Sequence, residues 1–180
     1  MKIACLQFNP IQENTYVVWD DTLEAVVIDA GNSNPREDAA LDNFIAEHGL
    51  RPVLAANTHG HFDHTLGVAH LKKRYGIPFA MSLKDAFLLD NASTSGSIFG
   101  VPVGEMPSVD TLSLIHISEP TDLPGGDYSW IMRSILDILL PLGDEVHVYP
   151  GHGPESTIGH EVLYNPFIVE VLNEEVNYKD

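Results

Sequence analysis

The chain is short of cations and nearly without cysteine. Nine Lys and Arg stand against 26 Asp and Glu in 180 residues, giving a formal charge of −17 and a pI near 4.6. An excess of that size repels phosphate backbones and anionic lipid, which excludes nucleic acid and membrane surfaces as expected partners. The single cysteine, Cys5, excludes an internal disulfide and fits a reducing compartment. No apolar run approaches membrane-spanning length, and Met1-Lys2 leads straight into a strand-like segment instead of a signal peptide. The cytoplasm is therefore the expected location. No internal repeat stands out, and no serine or cysteine nucleophile with a paired base is evident. What is present is 44% hydrophobic residues, enough to bury one core, so a single domain over 1–180 is expected.

Against that background one stretch stands out: Thr58-His59-Gly60-His61-Phe62-Asp63-His64, directly after the apolar run Pro52 to Ala56. His59 and His61 sit two apart, so on an extended backbone their imidazoles leave the same face. Gly60 between them carries no Cβ, which allows a tight turn and close approach of an ion. Asp63 and His64 are adjacent, where a turn entering a helix can aim them at a second point. Imidazole suits zinc and iron, and a carboxylate adds a negative oxygen. His59, His61, Asp63 and His64 are thus expected metal ligands.

Lys2 to Phe8, Thr15 to Trp19 and Glu24 to Asp29 are rich in β-branched, aromatic and apolar residues, which predicts an antiparallel meander. Ser33-Asn34-Pro35 predicts a helix start and Gly49 its stop, with Ala40, Leu41, Phe44 and Ile45 on one face. His48 at its end complements the helix dipole. The ligand loop follows strand 52–57 and leads to a helix from about Leu66 to Tyr75, then strand Ile77 to Ala80 and a helix capped near Ser82 and Asp85. Alternating strands and helices imply an α/β layered core. Residues 91–110 read as a loop, either a lid or a plain connection. Further on, Asp122 to Asp127 is a turn cluster, Ile131, Ile135, Ile138 and Leu139 trace a helical face, and Glu145 to Tyr149 is a strand. It ends in Pro150-Gly151-His152-Gly153-Pro154, where backbone is fixed while His152 stays open, making His152 a further expected ligand. His147 alternates with Val146 and Val148 and points away from their face. His70 and His160 read as helix-surface residues.

These motifs, with Asn14-Thr15-Tyr16, Ile28-Asp29-Ala30-Gly31, Thr121 to Asp127, Thr157-Ile158-Gly159 and Asn165-Pro166-Phe167, resemble the metallo-β-lactamase superfamily, and within it the hydroxyacylglutathione hydrolase (glyoxalase II)-like branch. The resemblance implies an αββα sandwich with metals at one edge of its sheets. It implies His59 and His61 on a first metal and Asp63, His64 and His152 on a second, with Asp63 counted as the catalytic residue as well. Two zinc ions are implied, with iron or manganese tolerated. The implied reaction is cleavage of a small thioester, such as a hydroxyacyl-glutathione, by metal-activated hydroxide. A mononuclear-iron persulfide dioxygenase of the same superfamily and a catalytically dead metal-binding remnant are the alternatives.

The pattern also breaks. The third histidine of the first metal, expected in a segment resembling His-Thr-Pro-Gly-His, is absent, as is the aspartate that bridges both metals. Asp110-Thr111-Leu112 is similar locally but fits an upstream stretch, so the chain jumps from there to Thr121. The joining residues Leu112 to Thr121 match, residue for residue, a translated transposase sequencing adapter. One reading is an assembly chimera of a 1–111 N-terminal half and a 122–180 C-terminal remnant around an aberrant 112–121 junction. The other is a natural deletion with a replacement strand in which His116 substitutes for the lost ligand. Ten consecutive matches favour the chimera. With two ligands left for the first metal and three for the second, weak or single-metal occupancy is expected.

Overall fold

A computed structural model of the chain describes residues 1–113 and 128–177. They fall into two compact units, residues 1–113 with 151–153, and residues 128–150 with 154–177. His116, the turn cluster 122–127 and most of the 112–121 junction lie outside the described residues.

The first unit is built on one six-stranded sheet in sequence order. β1 (Lys2–Phe8), β2 (Glu13–Trp19) and β3 (Glu24–Ile28) form the expected antiparallel meander. β4 (Arg51–Ala56), β5 (Phe79–Ser82) and β6 (Thr111–Ser113) then continue parallel to β3. Parallel neighbours need crossovers, and helices supply them. α1 (Pro35–Glu47) begins at Asn34, whose side chain accepts from the amides of Arg36 and Glu37, and Gly49 follows its end at φ 63°. Leu41 and Ile45 are its buried residues, each stabilising the fold by about 2 kcal/mol. α2 (Val68–Tyr75) buries Val68 and Leu71 and closes on left-handed Gly76. Both helices deliver apolar residues to a core with Val17, Val27, Ala55, Phe79 and Met81.

The crossover from β5 to β6 departs from the expected loop. After α3 (Ala86–Asp90), residues Ala92–Ile98 form a helix, α4. Its sequence, Ala-Ser-Thr-Ser-Gly-Ser-Ile, has weak helical propensity, and packing overrides it. Ala92 and Gly96 are buried, and a Cβ on Gly96 would overlap Val103 and stand 2.7 Å from the Val101 carbonyl.

The second unit holds α5 (Tyr128–Ser134), a widened π turn Ile135–Leu139, and a 3₁₀ turn Leu140–Leu142. A two-stranded antiparallel ribbon of β7 (His147–Val148) and β8 (Ser156–Thr157) precedes α6 (Ile158–Tyr164) and α7 (Pro166–Asn177). The single helical face expected from Ile131, Ile135, Ile138 and Leu139 does not form. The pitch changes at Ile135, which destroys the 3.6-residue spacing, and Ile138 is 60% exposed. The strand expected over Glu145 to Tyr149 is reduced to two residues.

Candidate metal centre

Ligands in parallel sheets gather beyond the carboxyl ends of the strands, and the first unit follows that rule. Asp29 follows β3, the stretch Asn57 to His64 follows β4, and Asp85 follows β5. Asp29 holds a left-handed φ of 51° and anchors the ligand loop: its Oδ1 accepts from the Thr58 amide at 2.8 Å and its Oδ2 from the Thr58 hydroxyl at 2.7 Å. Asn57 donates to the His64 carbonyl at 2.9 Å, and Asn9 donates to the carbonyls of Gly31 and Asp63 at 3.0 and 3.1 Å. Phe62–His64 form a 3₁₀ turn, the tight entry expected for adjacent ligands. Gly60 is required by contact: a Cβ there would stand 2.6 Å from the Asp85 carbonyl oxygen, itself part of a fully buried residue.

His152 reaches the same place through backbone pairing. It bridges Glu13 at the start of β2, while Asn14 donates from its amide to the Gly151 carbonyl at 2.8 Å and from its side chain to the Gly153 carbonyl at 2.7 Å. Gly151 leaves room for the His64 ring, whose Cε1 would be 2.5 Å from a Cβ.

The structure brings Asp63, His64 and His152 together, sets His59 beside His64, and leaves His61 in ring contact with His59. The ring centroids of His59 lie 4.5 Å from His61 and 4.1 Å from His64, and His64 is 5.3 Å from His152. Asp63 Oδ2 stands 3.1 Å from His152 Nε2 and 3.6 Å from His64 Nε2. Tetrahedral zinc with bonds of about 2.1 Å places its ligand atoms about 3.4 Å apart, so these separations suit one ion. Two groups of three donors within 4.8 Å occur among the described residues: Asp63 with His64 and His152, and Asp29 with His59 and His64. His61 joins neither.

The electrostatics favour a cation. Burial, with His64 and His61 close by, pushes His59 down to about 3, so its ring is the neutral donor that metals require. Its Nε2 and the Nδ1 of His64 are buried without a hydrogen-bond partner. Burial alone would raise Asp63, but the hydrogen bond from His152 and the nearby His64 hold it below the usual carboxylate range. The same hydrogen bond raises His152. Buried orphan nitrogens beside a retained carboxylate are what an ion accounts for, and the nitrogen-and-oxygen donor set fits zinc or iron.

Three participants were not singled out as site residues by the spacing of the sequence. Glu13 is fully buried, and burial together with Asp29 and Asp63, against a hydrogen bond from Thr15, pushes it up to about 10. Asp29 and Asp85 are also buried. Acidic residues at strand ends were the available signal, and position along the chain did not reveal that the ends converge. A further correction concerns His70, expected on a helix surface: it is partly buried, with Nε2 3.0 Å from Asp42 and Nδ1 3.5 Å from Asp38, tying α2 to α1.

The family model of the metallo-beta-lactamase superfamily matches residues 8–165. Hydroxyacylglutathione hydrolase GloC of Haemophilus influenzae is 28% identical over 212 residues, covering 93% of this chain and 98% of that protein. The crystal structure of BLEG-1 B3 metallo-beta-lactamase aligns at a TM-score of 0.82 and 27% identity, covering 93% of this chain and 99% of that one. TTHA1623 in a di-iron-bound form aligns at 0.79 and 28%, covering 91% and 99%. The alignment with the Haemophilus protein is longer than the chain. Since 93% of 180 residues is about 167, about 45 of its 212 positions face no residue here.

Proposed function

Because the chain belongs to the metallo-β-lactamase superfamily, we propose that it is a metal-dependent hydrolase of the glyoxalase II-like type, built to cleave a small thioester such as a hydroxyacyl-glutathione. The observation that carries this reading is the convergence of Asp63, His64 and His152 at separations suited to one ion. The Haemophilus relative supports the substrate class. In this reading Asp63, His64 and His152 hold the working ion, and His59 and His61 are the surviving half of a second set. When bound, the ion acidifies water and polarises the thioester carbonyl. Asp63 both ligates and orients the attacking water through its carboxylate. His152, 43% exposed at its side chain, faces the substrate's approach, while buried His64 and His59 keep bulk water out behind it.

We further assign the roughly 45 unmatched positions to an internal segment lost near residues 112–121, the stretch in which the family resemblance would place the third imidazole and the bridging carboxylate. Without them the chain holds one ion and turns over slowly. Zinc-loaded protein assayed for thiol release from hydroxyacyl-glutathiones should show slow, chelator-sensitive cleavage that Asp63→Asn abolishes. Iron retention with oxygen uptake on a persulfide substrate would move the assignment to a mononuclear-iron dioxygenase. Metal retention with no turnover on any thioester would mark a catalytically silent remnant.

A further inference from the structure

Among the described residues, Glu13 is a buried carboxyl at the centre whose Oε1 has no hydrogen-bond partner and faces a ligand imidazole. Its side chain is fully buried on β2, with room made by Gly31, where a Cβ would overlap the Glu13 carboxyl. Oε2 accepts from the Thr15 hydroxyl at 2.9 Å, and that hydroxyl accepts from the Gly31 amide at 2.9 Å, so the carboxyl is fixed from one side. Oε1 accepts from nothing and stands 3.9 Å from His64 Nδ1. The backbone of the same residue is the bridge partner of His152. One residue therefore touches two of the three groups that converge on the proposed ion, by its side chain at His64 and by its main chain at His152.

We propose that Glu13 is a positioning residue for the Asp63–His64–His152 set, with Oε1 receiving the Nδ1–H of His64 when Nε2 is engaged. A ligating imidazole is oriented, and its tautomer set, by the partner of its other nitrogen. Two carboxyls compete for that role. Asp29 Oδ2 is nearer, at 3.3 Å from His64 Nδ1, yet makes no hydrogen bond to it, and each Asp29 oxygen is already held by Thr58, whereas Glu13 Oε1 accepts from nothing. A closure of under about 1 Å brings Oε1 into hydrogen-bond range. This also accounts for the grouping of Asp29, His59 and His64 without a second ion: His64 offers Nε2 to the rim and Nδ1 to the carboxyls behind it. The proposal rests on the ligand assignment above.

The test compares zinc and cobalt(II) affinities, by chelator competition, of the full chain, Glu13→Gln, Glu13→Leu and His64→Ala, alongside the cobalt absorption spectrum and metal-free melting temperatures. Glu13→Leu should weaken metal binding by about 10–100-fold and change the cobalt spectrum. Glu13→Gln, which keeps an acceptor oxygen, should fall in between, and it carries the test if the leucine variant does not fold. A purely structural residue would lower the metal-free melting temperature and leave affinity and spectrum alone, and that result overturns the proposal. Loss of metal in Glu13→Leu as complete as in His64→Ala also overturns it, since Glu13 would then be a ligand. Metal retained at full affinity in His64→Ala would instead overturn the ligand assignment itself, a different result from either.

Discussion

The two places where imidazoles gather share a loop and differ in closure. Asp63 and His64 on that loop meet His152, which arrives from far along the chain and is held on both sides by Asn14, whose amide donates to the Gly151 carbonyl and whose side chain donates to the Gly153 carbonyl. His59 and His61 come only from the loop, and no third donor among the described residues completes a set that includes His61. Nearness of two histidines is a local property that a short motif secures alone. Closing the coordination shell is a tertiary property, and it depends on a distant strand end being present.

The sharpest way to break this comparison is His64→Ala, which removes the residue common to both three-donor groups. If a site worth about 10–16 kcal/mol in apparent binding is shared among four ligands, its loss should weaken zinc binding by roughly a hundredfold or more, read by chelator competition. Grafting the relatives' internal segment between residues 111 and 122 should do the reverse. Metal analysis should rise from one ion per chain to two, and thiol release should rise by at least about tenfold, since a two-metal site clamps both attacking and leaving atoms. A graft that folds and still holds one ion would remove the lost segment as the explanation. His61→Ala should change affinity for the single ion by less than about tenfold, below the range seen even for outer partners of a ligand. A larger loss would place His61 on the working ion.

The smallest effect lies away from the centre and checks that the scaffold responds separately. Burial alone would raise Asp42, but hydrogen bonds from Tyr75 and His70 hold it below the usual carboxylate range. Its folded pKa is depressed, so its contribution is present above the unfolded value near 4 and is lost as pH falls through the folded one. Asp42→Asn should therefore lose stability less steeply than the parent as pH falls below about 4, by under about 1 kcal/mol for an ion pair at the protein surface. Thermal melts of the metal-free proteins read this. Equal slopes would mean that Asp42 adds nothing to the α1–α2 contact.

Much of the first unit was legible because its signals are local. The meander, the Asn34 cap, Gly49 and Gly76 each act within a turn of the chain, and the loop from His59 to His64 announces metal chemistry by spacing alone. The helix Ala92–Ile98 was not legible, because it exists through Gly96 seating against Val101 and Val103 and not through propensity. Nor was the irregular winding after Ile135, where apolar residues keep helical spacing but the backbone does not keep helical pitch. At the centre, Glu13 and Asp29 were hidden for the opposite reason to His59. The stretches around them carry the family resemblance but no ligand spacing, and only the convergence of β2, β3 and β4 brings their carboxyls to His64. The role of His70 is hidden likewise, because its partners Asp38 and Asp42 lie on another helix.

One measurement bears most directly on the account: the number of metal ions that purified chain retains after exhaustive dialysis, by elemental analysis, alongside His61→Ala and His64→Ala. The account predicts one ion per chain, kept by His61→Ala and lost by His64→Ala. Two tightly held ions in the parent chain, or an ion kept without His64, would contradict it.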